Sequence, residues 1–371
     1  MYRFPIFFAI LLTLTCAFTR QSVANAQRVS SAKAEDPVEF KQCWAYSDDN
    51  QYSAIVSDKR AVYVATPDAK VVAIAVDSGQ KLWSAELGGD AVSDLIALPN
   101  GIAVVTQTPA TDGSVPKAAI RILSLETGIA TRSIAVNSAE RFYLKYVATQ
   151  LIVVSRSGDI SAFDATTFEQ KWSRKPTGSI VGEPHIGAGK ILIGAADGQI
   201  VSIATATGEI SATIKTDSKP SQMFATSNGN VIYGDERGFV NSLSEKWKFR
   251  LGAKINGISE IGEDILVTSY DNVVYLLTQD GGVEWKQRLE GRIAGVIASS
   301  DSTLLAFSIG GSSGVVIEPK KGRTVGRIAF AQQADSLFVD KSGSGGVYFI
   351  ANGVTYSYSS TPCKIKSDKP L

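Results

Sequence analysis

Residues 62–83 read VYVATPDAKVVAIAVDSGQKLW. Two runs rich in Val, Ile and Tyr flank a short polar turn at Thr66–Ala69, and a second turn, Asp77-Ser78-Gly79, leads to Trp83. β-branched and aromatic residues bounded by Pro, Asp and Gly are the composition of short strands joined by tight turns. The stretch recurs. Its strand pair reappears as LIVVSRSGDISAFD (151–164), ILIGAADGQIVSIA (191–204), VIYGDERGFVNSL (231–243), ILVTSYDNVVYLL (265–277) and VYFIANGVTYSY (347–358).

The five tryptophans keep the same beat. Trp44, Trp83, Trp172, Trp247 and Trp285 are separated by 39, 89, 75 and 38 residues, one or two steps of about forty. Four follow a turn, as in TTFEQKW (166–172) and QDGGVEW (279–285). Where the Trp is missing the frame persists as ETGIATR (126–132), TATGEIS (205–211) and KKGRTVG (320–326). With a weaker strand before each pair and one carrying the Trp, each unit holds four strands, the blade of a β-propeller. Seven such units run from Trp83 to Ile328. Three further strands follow without an outer partner, while FKQCWAY (40–46) has a Trp and no strand pair before it. The sequence therefore predicts an all-β, eight-bladed propeller whose last blade is closed by the N-terminal strand.

Composition agrees with an exported globular chain. The 371 residues are 44 % hydrophobic and 20 % charged, with 33 Gly. Arg3, the apolar run FPIFFAILLTLTCAF (4–18) and Ala24-Asn25-Ala26 form a secretory signal over residues 1–26. Cys16 raises a lipoprotein signal, but the usual Leu three positions earlier is absent, so the reading favours cleavage. Removing Arg3 and Arg20 takes the formal net charge from +1 to −1, which gives no basis for nucleic-acid binding. A linker over 27–38, a propeller over 39–363 and a tail over 364–371 complete the expected layout. No segment after the signal has the ~18 apolar residues of a membrane span. Only Cys43 and Cys363 then remain, one at each end of the ring, and in an oxidising compartment a disulfide between them is expected. No N-x-[ST] sequon occurs, which favours a bacterial periplasm over a glycosylating pathway.

The pattern VYVxTxDxxVxAIxxxSGxxLW resembles the quinoprotein-type repeat of the PQQ-dependent alcohol dehydrogenases. It is also similar to their non-catalytic relatives of the BamB type, which serve outer-membrane β-barrel assembly. The resemblance spans about residues 39–363. The dehydrogenases hold their quinone beside a disulfide of adjacent cysteines, stack it on a Trp and coordinate calcium through a Glu–Asn–Asp set near a catalytic Asp. Here no cysteines adjoin, no Trp lies outside the repeat frame, and no calcium set can be mapped. The resemblance therefore implies a non-catalytic scaffold without a cofactor, periplasmic or secreted, acting as a monomer within a complex of envelope proteins and peripheral to the outer membrane. The alternative it leaves is a quinone- or small-molecule-binding oxidoreductase.

The remaining candidates are few. His185 is the sole histidine and falls on an inner strand, where a structural role outweighs a catalytic one. Asp68, Asp197, Asp235, Glu236 and Asp271 recur at one turn of successive blades, where Asp is good turn chemistry. The insertion TQTPATDGSVPKAA (106–119) replaces a tight turn in the second blade, and Thr108, Pro109, Asp112 and Pro116 make it the leading candidate for an interaction loop. Trp44, Trp83, Trp172, Trp247 and Trp285 are expected to pack between blades.

Overall fold

A computed structural model describes residues 38–109, 116–298, 303–341 and 346–363. The leader over 1–26, Cys16, Asp112 and the tail from 364 lie outside these residues. The described chain holds strands and no helix, in eight antiparallel sheets built from strands consecutive in sequence. Blades 1 to 7 span residues 54–86, 90–136, 142–174, 180–215, 220–250, 255–288 and 292–329. Blade 8 takes its first three strands from residues 337–359, and its outer strand is Lys41–Tyr46, paired antiparallel with Val354–Ser359.

The burial of each strand follows from its place in the blade. The two middle strands lie between neighbouring blades, so both faces are covered and the sequence loses its alternation. Ala61–Ala65 and Val273–Leu277 are buried at every residue. Successive side chains leave a strand on opposite sides. Val62, Val64, Val72 and Ile74 accordingly pack on Tyr348 and Ile350 of blade 8. Tyr63, Ala65, Val71 and Ala73 pack on Leu95, Ile102 and Val104 of blade 2. Each such Val or Ile removed from water stabilises the ring by about 1.5–3 kcal/mol. Outer strands instead expose all but one to three positions, as in Lys81–Glu86, where Trp83 alone is buried.

That tryptophan is aimed by a bulge. The pairing of third and outer strands slips at the residue before the Trp position in every blade but the fifth. An extra residue bends the strand and re-aims the side chain that follows. The indole then crosses to the next blade. Trp44, Trp83, Trp172, Trp247 and Trp285 donate their Nε1–H to the carbonyls of Val76, Leu125, Thr205, Gln279 and Pro319, at 2.6–3.1 Å. Each ring lies flat against a glycine of that turn: Gly79, Gly128, Gly208, Gly281 and Gly322 respectively. A Cβ at any of the five would stand under 3 Å from the ring, and all five have positive φ.

The ring is closed covalently as well. Cys43 is the bulge residue of the closing strand, and its sulfur is bonded to that of Cys363, with Cα atoms 5.4 Å apart and 320 residues between them in sequence. The sequence reading of this pair, of the tryptophans and of the eight-bladed closure is what the structure shows.

Two outcomes are expected. Gly208→Ala places a methyl 2.6 Å from Trp172 and should lower unfolding stability by about 2–4 kcal/mol. Gly189→Ala, with φ of +72° like Gly208 but nothing within 4 Å, should cost only the left-handed strain of about 1–2 kcal/mol. Paired urea melts that returned equal losses would refute the ring–glycine contact. In the same assay, Cys43→Ser with Cys363→Ser should cost about 2–4 kcal/mol, and dithiothreitol should reproduce that loss in the native chain and leave the double variant unchanged.

Candidate interaction surfaces and the axial channel

In a four-stranded meander the turn between second and third strands always emerges at the same end of the blade, together with the linkers that join one blade to the next. The insertion of blade 2 and the recurrent acids therefore share one face of the ring. The insertion is less of a loop than its length predicts. Gly101–Thr108 and Lys117–Leu123 continue their pairing to Thr108 and Lys117, so the flanks of the insertion are a β-ribbon. Thr108, Pro109 and Pro116 sit at the end of this ribbon, and the intervening residues 110–115, Asp112 among them, are outside the described chain. The ribbon is held where its described strands end. The Ser138 hydroxyl donates to the Pro116 carbonyl, and the Ala139 N–H to Gln107 Oε1 at 3.2 Å, tying it to the linker that enters blade 3.

The acids do not converge. Asp68 accepts from the Thr66 hydroxyl, and Asp197 accepts from the backbone and side chain of Gln199. Asp271 accepts from Gly252 N–H, Val273 N–H and the Tyr275 hydroxyl, and its carboxylate together with burial pushes Tyr275 up to about 12. Asp235 is fully buried and accepts from the N–H groups of Arg237 and Phe239, both at 2.9 Å. These are turn-forming contacts, each within its own blade or an adjoining linker, and Glu236 is exposed beside them. Among the described residues no three His, Cys, Asp or Glu side chains come together in a way that could hold a metal ion.

The inner strands line the axial channel. Two cavities of about 520 and 550 Å³ share Lys145, Glu183, Ala294 and Lys341 in their walls, which identifies them as parts of one space along the axis. His185, on the inner strand Ile180–Gly187 of blade 4, packs against Phe224 of blade 5 with ring centroids 4.5 Å apart. Its Nε2 is buried without a hydrogen-bond partner. Burial, and then the positive charge of Lys145, push its pKa down to about 4, so at neutral pH it is an uncharged ring packed at a tilt against the next blade. Sequence placed it on an inner strand correctly. The packing partner lies 39 residues further along the chain, where only the closed ring brings it near.

Comparison with known proteins adds a family to this geometry. Residues 133–246 match the family model described as outer membrane protein assembly factor BamB. They cover blades 3 and 4, most of blade 5 and part of the outer strand of blade 2. BamB from Moraxella catarrhalis has the same fold, with 15 % identity over 86 % of this chain and 98 % of that one and a TM-score of 0.61. The computationally designed protein Ika8 matches at 15 % identity over 84 % and 98 %, with a TM-score of 0.66. A search of curated proteins by sequence finds no match. The chain is an eight-bladed propeller that resembles BamB in sequence over residues 133–246 and shares its fold.

The depressed His185 pKa has a testable sign. The folded value of about 4 lies below the unfolded value near 6.5, so the unfolded chain binds the extra proton between them. The stability due to neutral His185 is complete above about pH 6.5 and is lost as pH falls toward 4. His185→Phe should flatten that part of the stability–pH curve. A His185 imidazole titrating near 6.5 by NMR would show that the ring is solvated.

Proposed function

We propose that the protein is a non-catalytic scaffold of the bacterial cell envelope, exported by residues 1–26, which holds partner proteins during outer-membrane protein assembly. The observation that carries this reading is the family match over residues 133–246. It does not rest on the likeness of fold, because a designed propeller fits this chain as well as BamB does, and one fold serves many functions.

The surface chemistry supports a binding role. The ring is closed, so each blade is covered on both faces, and one end of it carries a ribbon tied to a linker at Gln107 and Pro116. Paired flanks of this kind offer a partner backbone that is already ordered up to Thr108 and Lys117. The residues that quinone dehydrogenases use are otherwise engaged here. All five indoles are committed to blade boundaries, with their N–H groups bonded to the next blade. The Cys43–Cys363 bond joins residues 320 apart at the outer strand of blade 8, so it cannot supply the adjacent-cysteine platform that such a cofactor uses. These positions do not fit a quinone held in the dehydrogenase manner.

Cross-linking of the tagged chain in intact envelopes, followed by detergent extraction and mass spectrometry, tests the scaffold reading. It should recover an outer-membrane assembly component with cross-links at the blade 2 ribbon, and replacing residues 108–116 by Gly-Ser should reduce that recovery at least severalfold. Recovery of no stable partner would sink the reading. A rise in melting temperature on adding PQQ and calcium would support the cofactor alternative.

A further inference from the structure

Blade 5 departs from the other seven. Its outer strand, Lys248–Arg250, is three residues long against five to seven elsewhere, and its pairing has no bulge. On this strand Trp247 and Phe249 turn toward blade 6, where the indole meets Gln279 and Phe249 meets Tyr275. By alternation Lys248 and Arg250 turn the other way, toward blade 4. The blade 4 outer strand, Ile210–Lys215, has Ala212 in the position after the bulge, where other blades carry Trp.

Three cations gather there on one ring. Lys248 Nζ lies 4.3 Å from the centroid of Phe239, Arg250 Cζ 5.5 Å and Arg237 Cζ 5.6 Å. Among the described residues no other ring carries more than one cation. Arg237 is paired with the buried Asp235 at 3.4 Å and Lys248 with Asp217 at 3.8 Å. Arg250 has no ion pair or hydrogen bond among the described residues, and Lys219, in the linker from blade 4, is exposed and unpaired beside Asp217. In a mature chain of net charge −1 this is a local excess of positive charge. Like charges held around one aromatic face repel each other, and an anion from outside relieves that repulsion.

We infer that the rim of blade 5 is a docking site for an acidic, extended segment of a partner protein. The spacing selects the partner. Lys248 and Arg250 are two residues apart on one side of a strand, about 7 Å, which is the spacing of alternate carboxylates on an extended peptide. The exposed acids Asp217 and Glu236 flank the cations, and they would repel a uniformly anionic membrane surface while leaving room for a peptide in one register. The inference names a partner chemistry for the scaffold proposed above and rests on that reading for its biological role.

The test uses the purified full chain and a fluorescein-labelled peptide of alternating Glu and Val, read by anisotropy. Binding should be salt-sensitive, absent for a Gln and Val peptide, weakened about tenfold by Arg250→Gln or Lys248→Gln, and abolished by Arg250→Glu. Arg250→Lys should retain most of it. Lys320→Gln with Lys321→Gln, in the turn before the blade 7 outer strand, should change nothing. Melting temperatures verify that each variant is folded. Binding that ignores the blade 5 variants, or falls equally with the blade 7 control, overturns the inference. So does a native chain that ignores the peptide yet sediments with phosphatidylglycerol vesicles. Because the assay contains no envelope protein, its failure leaves the cross-linking result standing, and a failed cross-linking experiment leaves this binding intact.

Discussion

The ring is held at its circumference by one repeated contact, an indole from one blade lying on a glycine of the next. The two residues are some 35 to 45 positions apart in sequence, yet each requires the other. The Trp needs a surface without a Cβ to lie flat and reach the carbonyl two or three residues before the glycine. The glycine turn needs a cover, because its carbonyl would otherwise be left unpaired between two blades. The three boundaries without Trp confirm the dependence. The turn entered from blade 2, where Arg132 replaces Trp, has Phe168 at the glycine position with φ of 60°, and that ring packs into the core shared by blades 2 and 3. Across from Ala212, which replaces Trp in blade 4, Leu243 packs against the apolar cluster of blades 4 and 5. At Gly326 the entering chain itself fills the space, with Val38 bonded to Val325 and Phe40 buried in the core of blades 7 and 8. Apolar volume is thus conserved at each boundary while its source changes.

Closure makes this contact a cooperative property of the circle. In an open stack each boundary stands alone, and the first and last sheets offer unpaired edges. Here the closing strand contributes both Trp44, which covers the turn of blade 1, and Cys43, which holds the strand in blade 8. Adjacent residues on one bulge therefore secure two different blades. The entropic cost of bringing the chain ends together grows with the logarithm of the loop, so a bond across nearly the whole chain constrains the unfolded state strongly where a single indole contact is weakest.

What was legible in the sequence is what repeats. Trp spacing, the Gly, Asn and Asp turns and the unbroken apolar runs each recur often enough to be read without a fold in hand, and they fix blades, count and closure. The glycine partners were legible too, since every turn following a Trp-bearing blade within the chain has Gly and the turns following the others do not, but the pairing runs between repeats and not within one. Features that occur once were harder. The blade 2 insertion reads as a loop because its flanks, TQT and KAA, are too short and mixed to announce strands, and only their register across the ribbon reveals pairing. Arg237, Lys248 and Arg250 look like ordinary surface charges in sequence. A hairpin and a short outer strand bring them to Phe239, and nothing in their spacing says so.

This division also explains why the fold speaks so weakly about function. The residues that make the ring are engaged by neighbours: the middle strands by adjacent blades, the indoles by glycine turns, and Asp197, Asp235 and Asp271 by backbone N–H groups. A designed protein can reproduce such a fold, and Ika8 matches this chain as closely as an evolved assembly factor does. What distinguishes this chain is where it breaks its own repeat. Those breaks are a lengthened ribbon in blade 2 and a shortened, cation-bearing outer strand in blade 5. Neither is required for closure, and the second places like charges together at some cost in stability. In the scaffold proposed above, these irregularities are the positions assigned to partner contact.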